Sequence, residues 1–160
     1  MCIRDSTRKV YVADTYNSRI QILNPDLTFS SSFGSHLRDS GQLNQLSDVA
    51  FDSTGNVYVV DRSNHCIQVF TATGQFMRKF GSCGKGNGEL NDPIFISIDS
   101  DNVVYVTEFK NNRISLFTCE GTFLSSCRPE QFGSPRGIAV DKNGVVYVSD
   151  YKSSHIKLLF

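Results

Sequence analysis

Acidic and amide side chains recur at one spacing in four similar stretches of the sequence. An acid is followed three residues later by an asparagine in the first three stretches, and by Ser153 in the fourth. Short Asp and Asn side chains hydrogen-bond the backbone of turns, although carboxylates also serve in catalysis and bind metal ions. Because each set lies between two apolar runs, we predict structural turns, with no catalytic or metal-binding role, at Asp14, Asn17, Asp61, Asn64, Glu108, Asn111 and Asp150.

The histidines and cysteines are too scattered to predict a metal site. His36, His65 and His155 take three different positions relative to the similar stretches, so no ring of ligands converges. The five cysteines form no CxxC pair and have no histidine at zinc-ligand spacing: Cys2, Cys66, Cys83, Cys119 and Cys127. We therefore expect scattered thiols, no metal and no cofactor. A disulfide or a zinc site is the alternative, which a titration of fewer than five thiols in the denatured chain would indicate.

The composition gives no reason to expect binding to a membrane or general attraction to nucleic acid. Sixteen basic residues balance sixteen acidic ones over the 160 residues, so the net field is near zero. No apolar run approaches the roughly 18 residues that cross a bilayer, and the N-terminus lacks the charged-then-apolar order of a secretory signal. We expect one domain, or part of one, in the cytoplasm and without membrane contact.

The four stretches are copies of one repeat. Each begins with VYV, at Val10, Val57, Val104 and Val146, so the copies start 47, 47 and 42 residues apart. A period of 40 to 50 residues indicates a repeat architecture. Within each period the apolar residues alternate at spacing two in four short bursts, which is the period of a strand. The connecting segments are too short for parallel crossovers, so each repeat is predicted to be a four-stranded antiparallel meander.

The second strand of each meander is apolar on both faces. Residues 57–60 read VYVV, and a strand of this kind must be covered on both sides. Small sheets that stack face to face around an axis are the blades of a β-propeller. The predicted fold is therefore an all-β propeller in which each repeat supplies one blade.

Several motifs resemble the NHL repeat. They are PRGIAVDKNGVVYVSD at residues 135–150, NSRIQIL from Asn17, NNRISLF from Asn111 and GQFMRKFG at residues 74–81. The resemblance covers residues 9–160 and implies an NHL-type propeller. Proteins with this repeat include tripartite-motif E3 ubiquitin ligases, in which the propeller recognises protein or RNA and a separate RING domain does the chemistry. The resemblance thus implies that this chain is not itself an enzyme, and that it is the substrate-recognition end of such a ligase in protein ubiquitination.

The repeat count predicts an incomplete ring. NHL propellers generally have six blades, whereas this sequence supplies about three and a half to four. We place the copies at about residues 7–47, 48–92, 93–134 and 135–160. Residues 1–6 are assigned to an artefact or a truncated strand, because Arg4 takes the place of the apolar Phe51 in the second copy. The open end blades are expected to expose apolar faces and to drive self-association.

One rim of this propeller is the predicted binding surface. Loops alternate between the two rims of a meander, so the loops between second and third strands share a rim with the blade-to-blade connections. This rim collects the candidate partner-binding or RNA-binding residues Tyr16, Arg19, Arg62, His65, Phe109, Lys110, Arg113, Arg136, Tyr151 and Lys152.

Three functions remain open for this rim. Aromatic side chains stack on bases and cations follow phosphates, which favours single-stranded RNA binding in post-transcriptional regulation. Acidic residues on the same rim cancel part of that charge, so recognition of a protein partner is the preferred interpretation and RNA the alternative. A propeller enzyme of the lyase or lactonase kind is the second alternative.

Overall fold

A computed structural model describes residues 2–36, 40–127 and 132–159, which form fifteen strands in four antiparallel sheets. We name the sheets blades 1 to 4 in chain order. Blade 1 holds β1 (Cys2–Arg4), β2 (Val10–Asp14), β3 (Arg19–Leu23) and β4 (Phe29–Phe33). Blade 2 holds β5 (Leu46–Phe51), β6 (Val57–Asp61), β7 (Cys66–Phe70) and β8 (Phe76–Phe80). Blade 3 holds β9 (Pro93–Ile98), β10 (Val104–Glu108), β11 (Arg113–Phe117) and β12 (Phe123–Cys127), and blade 4 holds β13 (Pro135–Val140), β14 (Val146–Asp150) and β15 (His155–Leu159).

The strands of every blade follow one another in chain order, which confirms the predicted meander. In blade 2 the VYVV strand β6 lies between β5 and β7, and all five residues of both β6 and β7 are buried. The first strands of neighbouring blades contact one another, so β1, β5, β9 and β13 are the innermost strands. The prediction of an all-β propeller fragment, with strands covered on both faces, is confirmed.

Blade 1 begins with a short strand in the segment for which the sequence left an artefact or a truncated strand open. Cys2–Arg4 pair antiparallel with β2, with Arg4 opposite Val10. This β1 is half the length of the six-residue β5. Its pairing is made by the backbone, so the polar Arg4 does not prevent it, and Ile3 packs against the core between blades 1 and 2.

Each hydrophobic core lies between two blades and not within one. One cluster joins blades 1 and 2, a second joins blades 2 and 3, and a third joins blades 3 and 4. Phenylalanine pairs with tilted rings repeat across the first two junctions: the ring centroids of Phe33 and Phe70 are 5.0 Å apart, and those of Phe80 and Phe117 are 5.1 Å apart. Every blade therefore depends on its neighbours for the burial of its apolar faces.

The tyrosine of VYV also connects neighbouring blades. The Tyr11 hydroxyl donates to the carbonyl of Ala72 at 3.3 Å, and the Tyr58 hydroxyl lies 3.0 Å from the carbonyl of Cys119. Both carbonyls belong to the turn between the third and fourth strands of the next blade. Since the two pairs are each 61 residues apart, the same contact is made once per repeat at these junctions.

Candidate functional site

The loops between second and third strands share a rim with the blade-to-blade connections, as the meander requires. Backbone N–H groups of these loops donate to carbonyls of the connections, from Ser63 to Asn44, from Phe109 to Asp92 and from Tyr151 to Ser134. We call this side of the molecule the loop rim. It holds all ten candidate binding residues predicted from the sequence.

The acid at the end of each second strand anchors the loop rim. Its carboxylate accepts hydrogen bonds from the side chains of its own hairpin, including Gln21 to Asp14, Gln68 to Asp61 and Ser115 to Glu108 at 2.7, 2.8 and 2.6 Å. The asparagines three residues after these acids donate to them as well. The acids of blades 2 to 4 also accept backbone N–H groups of the incoming connections, at Asn44, Asn91, Gly133 and Ser134. These contacts are the ones that a turn-forming role requires.

Three of the predicted binding arginines are held in ion pairs on the loop rim. Arg19 pairs with Asp14 at 2.9 Å, and Arg113 pairs with Glu108 at 2.6 Å. The third, Arg62, donates through two nitrogens to Asp92, which directly precedes β9. The guanidinium of Arg113 also donates to the carbonyls of Lys85, Gly86 and Glu89, so it holds the glycine-rich connection between blades 2 and 3. These guanidinium groups already have anionic partners within the molecule.

The pKa values of the anchoring acids follow their partners. The hydrogen bond from Arg19 is the main cause that lowers the pKa of Asp14. Burial opposes ionisation of Asp150, but hydrogen bonds from Lys157 and from backbone N–H groups outweigh it and lower the pKa. For Asp61, where Gln68 takes the place of a cation, burial dominates and the pKa is raised. The same repeat position therefore carries two electrostatic environments.

Three of the predicted rim residues come together between blades 3 and 4. The guanidinium carbon of Arg136 lies 4.5 Å from the ring centroid of Phe109 and 5.3 Å from that of Tyr151. Arg136 is the second residue of the innermost strand β13, whereas the two aromatic residues follow the second strands of their blades. The Tyr151 side chain is 73% exposed. We call these three residues the arginine–aromatic cluster.

The other predicted rim residues do not join this cluster. Tyr16 is fully exposed in the loop of blade 1. His65 in blade 2 accepts a hydrogen bond from the Asp92 backbone N–H through Nδ1 at 3.0 Å, which is a loop contact. Lys110 and Lys152 are exposed and directly follow Phe109 and Tyr151 in the chain. Lys110 acts electrostatically on Asp92, in the connection between blades 2 and 3, whereas Lys152 lies beside Gly133 in the connection between blades 3 and 4.

A second concave site was missed by the sequence analysis. A cavity of about 340 Å³ is lined by the innermost strands, with contributions from Cys2 and Ile3, residues 48–51, 96–98 and 138–140. Its buried acid is Asp48, whose carboxylate accepts the backbone N–H groups of Val49 at 2.9 Å and Ile96 at 3.1 Å. Burial raises the pKa of Asp48 to about 6, against the effect of these two hydrogen bonds. We call this site the central cavity.

Asp48 has no counterpart in the other complete blades. The register aligns Val49 with Ile96 and Ile138, each opposite the second valine of VYV, so Asp48 occupies the position of Phe95 and Gly137. The signal in the sequence was a single acid inside an apolar burst, LSDVAF. The carboxyl group of Asp48 can exchange a proton near neutral pH inside the central cavity.

The histidines and cysteines are dispersed. His36 bonds Ser18, His65 bonds the backbone of Asp92, and His155 lies against the carbonyl of Ser153. All five cysteines are free, and burial raises the pKa of the Cys66 thiol to about 12. Within the described ranges, no three His, Cys, Asp or Glu side chains are grouped to hold a metal ion. The part of the chain that the structure describes also holds no helix long and apolar enough to span a membrane.

Solved propeller structures share this fold over nearly the whole chain. A streptogramin B lyase superposes with a TM-score of 0.75 at 19% identity, over 99% of this chain and 53% of that protein. A catalytically inactive virginiamycin B lyase from Staphylococcus aureus with quinupristin gives 0.75 at 18% identity, over 99% and 54%. A nidogen/laminin complex gives 0.72 at 21% identity, over 94% and 56%. This chain thus spans about half the length of the structures that it matches.

These matches correct one prediction. From the NHL resemblance we predicted that the chain is not an enzyme, because that resemblance implies a recognition module. That prediction is wrong, since the solved structures that share the fold include lyases, which are enzymes, as well as a nidogen/laminin complex. At these identities the likeness shows the fold alone, so binding and catalysis both remain compatible with it.

The comparisons with protein families identify the chain at the level of its fold. No curated protein matches the sequence. The family described as a 6-bladed beta-propeller matches residues 37–157. The relation to the NHL repeat and to tripartite-motif ligases stays a prediction from the quoted motifs. By the match over most of its length, the chain belongs to this 6-bladed beta-propeller family.

Proposed function

We propose that this propeller recognises a protein partner through its loop rim. The supporting observation is the exposure of two tyrosines on that rim, 100% for Tyr16 in blade 1 and 73% for Tyr151 in the arginine–aromatic cluster. Tyrosine and arginine side chains dominate the energetics of protein interfaces, because they combine a large apolar area with hydrogen-bonding groups. The nidogen/laminin complex, a protein assembly that contains the same fold, is consistent with this proposal.

The ion pairs of the loop rim weigh against single-stranded RNA as the partner. A nucleic-acid groove needs a track of cations that neutralise successive phosphates. Arg19, Arg62 and Arg113 are each bound to a carboxylate of this chain. RNA binding would have to break these pairs or rely on the few cations that remain.

Selection from a random peptide library on the immobilised chain tests the proposal. We expect the selected peptides to lose at least about tenfold in affinity when Tyr16 or Tyr151 is changed to Ser, as for an aromatic interface anchor. The matched control is Leu124→Ser, which alters a 49% exposed apolar residue on the outer strand β12. Peptides that bind equally well to all three variants would show that the loop rim is not the recognition surface.

A role in ubiquitination is the finer part of this proposal. It rests on the resemblance to tripartite-motif ligases and on no contact within the chain. A reconstituted ubiquitin-transfer reaction with the full parent polypeptide tests it, and the expected result is transfer to a protein that binds the loop rim. Transfer that persists after the Tyr16 and Tyr151 substitutions would contradict it.

The second candidate function is catalysis in the central cavity, since the chain shares its fold with lyases. The observation in its favour is Asp48, a buried acid with its pKa raised to about 6 beside a cavity of about 340 Å³. A carboxyl group of this kind can accept or return a proton at neutral pH. Incubation with quinupristin, the compound in one of the matched lyase structures, followed by chromatography, tests for lyase activity. Loss of the compound with the unchanged chain but not with Asp48→Asn would support catalysis, and no loss with either would contradict lyase activity on this compound.

A further inference from the structure

We infer that the arginine–aromatic cluster is an anion-recognition site that takes a carboxylate from an acidic segment of the protein partner. This inference rests on the proposed recognition function and adds the chemistry of the ligand. It assigns Arg136 as the residue that contacts the ligand, with Phe109 and Tyr151 as the residues that orient it.

Two aromatic rings hold the guanidinium of Arg136. It lies within cation–π distance of both, at 4.5 and 5.3 Å from the ring centroids. Contacts with two rings reduce the freedom of a long side chain. The guanidinium is therefore held in position before a ligand arrives. The exposed Tyr151 forms the wall that a ligand can reach or displace.

Arg136 differs from the other predicted binding arginines of the loop rim in having no acid partner within the described ranges. Arg19, Arg62, Arg113 and Lys157 each pair with a carboxylate of the chain. Arg136 forms no ion pair within the described ranges, and its buried Nε has no hydrogen-bond partner there. The nearby acids Glu108 and Asp150 are already bound to Arg113 and Lys157.

An arginine without an internal acid is a suitable partner for a planar anion. The Nε–H of Arg136 is buried, so an external carboxylate meets the terminal nitrogens of the guanidinium. A carboxylate presents two oxygens that match two guanidinium N–H groups at once, and such charge-assisted pairs are stronger than neutral hydrogen bonds. Lys152, which directly follows Tyr151 and lies beside Gly133, adds attraction for a negatively charged ligand.

The distribution of charge favours an acidic peptide over RNA. The predicted binding arginines of blades 1 to 3 are paired with acids of the chain, whereas Arg136, between blades 3 and 4, forms no ion pair in the described ranges. A short acidic segment needs only one such group, whereas a single strand needs a longer cationic path. The ligand is accordingly a carboxylate on a peptide.

Fluorescence anisotropy at fixed salt tests the inference with an amidated oligoglutamate peptide, and with oligoglutamine as the neutral comparison. We expect Arg136→Gln to weaken oligoglutamate binding by about tenfold to a hundredfold, the value of one charge-assisted pair. Arg136→Lys should restore only part of it, because lysine keeps the charge without the planar donors. Lys142→Gln removes one positive charge from the turn between β13 and β14 on the opposite rim, and it should leave the affinity unchanged.

Four outcomes would overturn the inference. They are no binding of oligoglutamate, binding that Arg136→Gln leaves unchanged, an equal loss with Lys142→Gln, and equal competition by inorganic phosphate at the same concentration of negative charge. Binding of oligouridylate that depends on Arg136, without binding of oligoglutamate, would identify RNA as the ligand and also overturn it.

The same variants separate this inference from the proposed function. Library peptides that need Tyr16 or Tyr151 but bind Arg136→Gln normally would retain the loop rim as a recognition surface and remove the carboxylate site. Because Arg136 holds no partner acid in the described ranges, its substitution breaks no internal ion pair, and an unchanged melting temperature is the check on folding.

Discussion

Glu108 and Arg113 face each other across the hairpin of blade 3 and form an ion pair of 2.6 Å in which the carboxylate is completely buried. The guanidinium is 11% exposed and also holds three carbonyls of the connection between blades 2 and 3. A residue that the sequence suggested for ligand binding thus joins two blades. Most arginines of the loop rim are therefore paired with acids of the chain, and only the charged groups outside these pairs are available to a partner.

Loss of Arg113 should destabilise the chain strongly. Arg113→Ala leaves a fully buried carboxylate without its cation, and we expect the free energy of unfolding to fall by about 3 to 5 kcal/mol. Arg19→Ala is the matched control, because its pair with Asp14 is 40% exposed on the arginine side; it should cost less than about 1 kcal/mol. Urea denaturation measures both. Equal losses would mean that burial does not set the strength of these pairs.

Alanine substitutions at two glycines test how closely blades 2 and 3 are packed. Gly121 and Gly144 both have positive φ, at +94° and +83°, so alanine is strained at either position. A Cβ on Gly121 would lie 2.6 Å from the side chain of Phe80 in the neighbouring blade, whereas one on Gly144 would meet nothing within 4 Å.

We expect Gly121→Ala to cost about 1 to 3 kcal/mol more than Gly144→Ala, the usual penalty of overpacking. Urea denaturation of the two variants measures the difference. If the two substitutions cost the same, the interface between these blades would be looser than the structure describes.

The blades could be predicted from the sequence because their signals are local. A strand that is apolar on both faces requires cover on both faces, whatever its neighbours are. Two of the ion pairs could also have been predicted from the sequence, since the short loop places Asp14 directly opposite Arg19 and Glu108 directly opposite Arg113. Had the hairpin register been drawn from the sequence, these arginines would have been assigned to the acids.

Asp48 and the arginine–aromatic cluster lay beyond such reasoning for physical reasons. A register shift between Leu46 and Val49 in β5 changes which side chains face the core, and the alternation of a regular strand does not reveal it. The cluster joins Phe109, Arg136 and Tyr151 from two blades, so it depends on the angle and spacing between sheets. Neither the register shift nor the geometry between sheets can be predicted from a local sequence pattern.

Ionisation of Asp48 should make the chain less stable as pH rises. The pKa of Asp48 is about 6 in the folded chain, and its ordinary value of 3.8 applies to the unfolded chain. Between these two pH values the folded chain binds the proton more tightly than the unfolded chain. The free energy of unfolding therefore falls from about pH 4 to about pH 6, by about 3 kcal/mol from this group.

Comparison with Asp48→Asn isolates this contribution, because the variant cannot ionise at that position. Urea denaturation from pH 4 to pH 7 should show a difference in stability between the two proteins that changes across this window and is constant above it. A difference that is the same at every pH would contradict a raised pKa for Asp48.

The hydroxyl of Tyr58 should stabilise the junction of blades 2 and 3. It lies 3.0 Å from the Cys119 carbonyl and accepts a hydrogen bond from Arg78 at 3.0 Å. Burial and the nearby Asp52 raise the pKa of Tyr58, so it stays protonated as a donor. We expect Tyr58→Phe to lower the free energy of unfolding by about 0.5 to 1.5 kcal/mol, because its hydrogen bonds are lost while Arg78 keeps the Cys119 carbonyl as an acceptor. Tyr16→Phe removes a hydroxyl from a fully exposed ring and should change nothing in the same urea titration. If both tyrosines tolerate phenylalanine equally, the Tyr58 hydroxyl adds no stability to the junction.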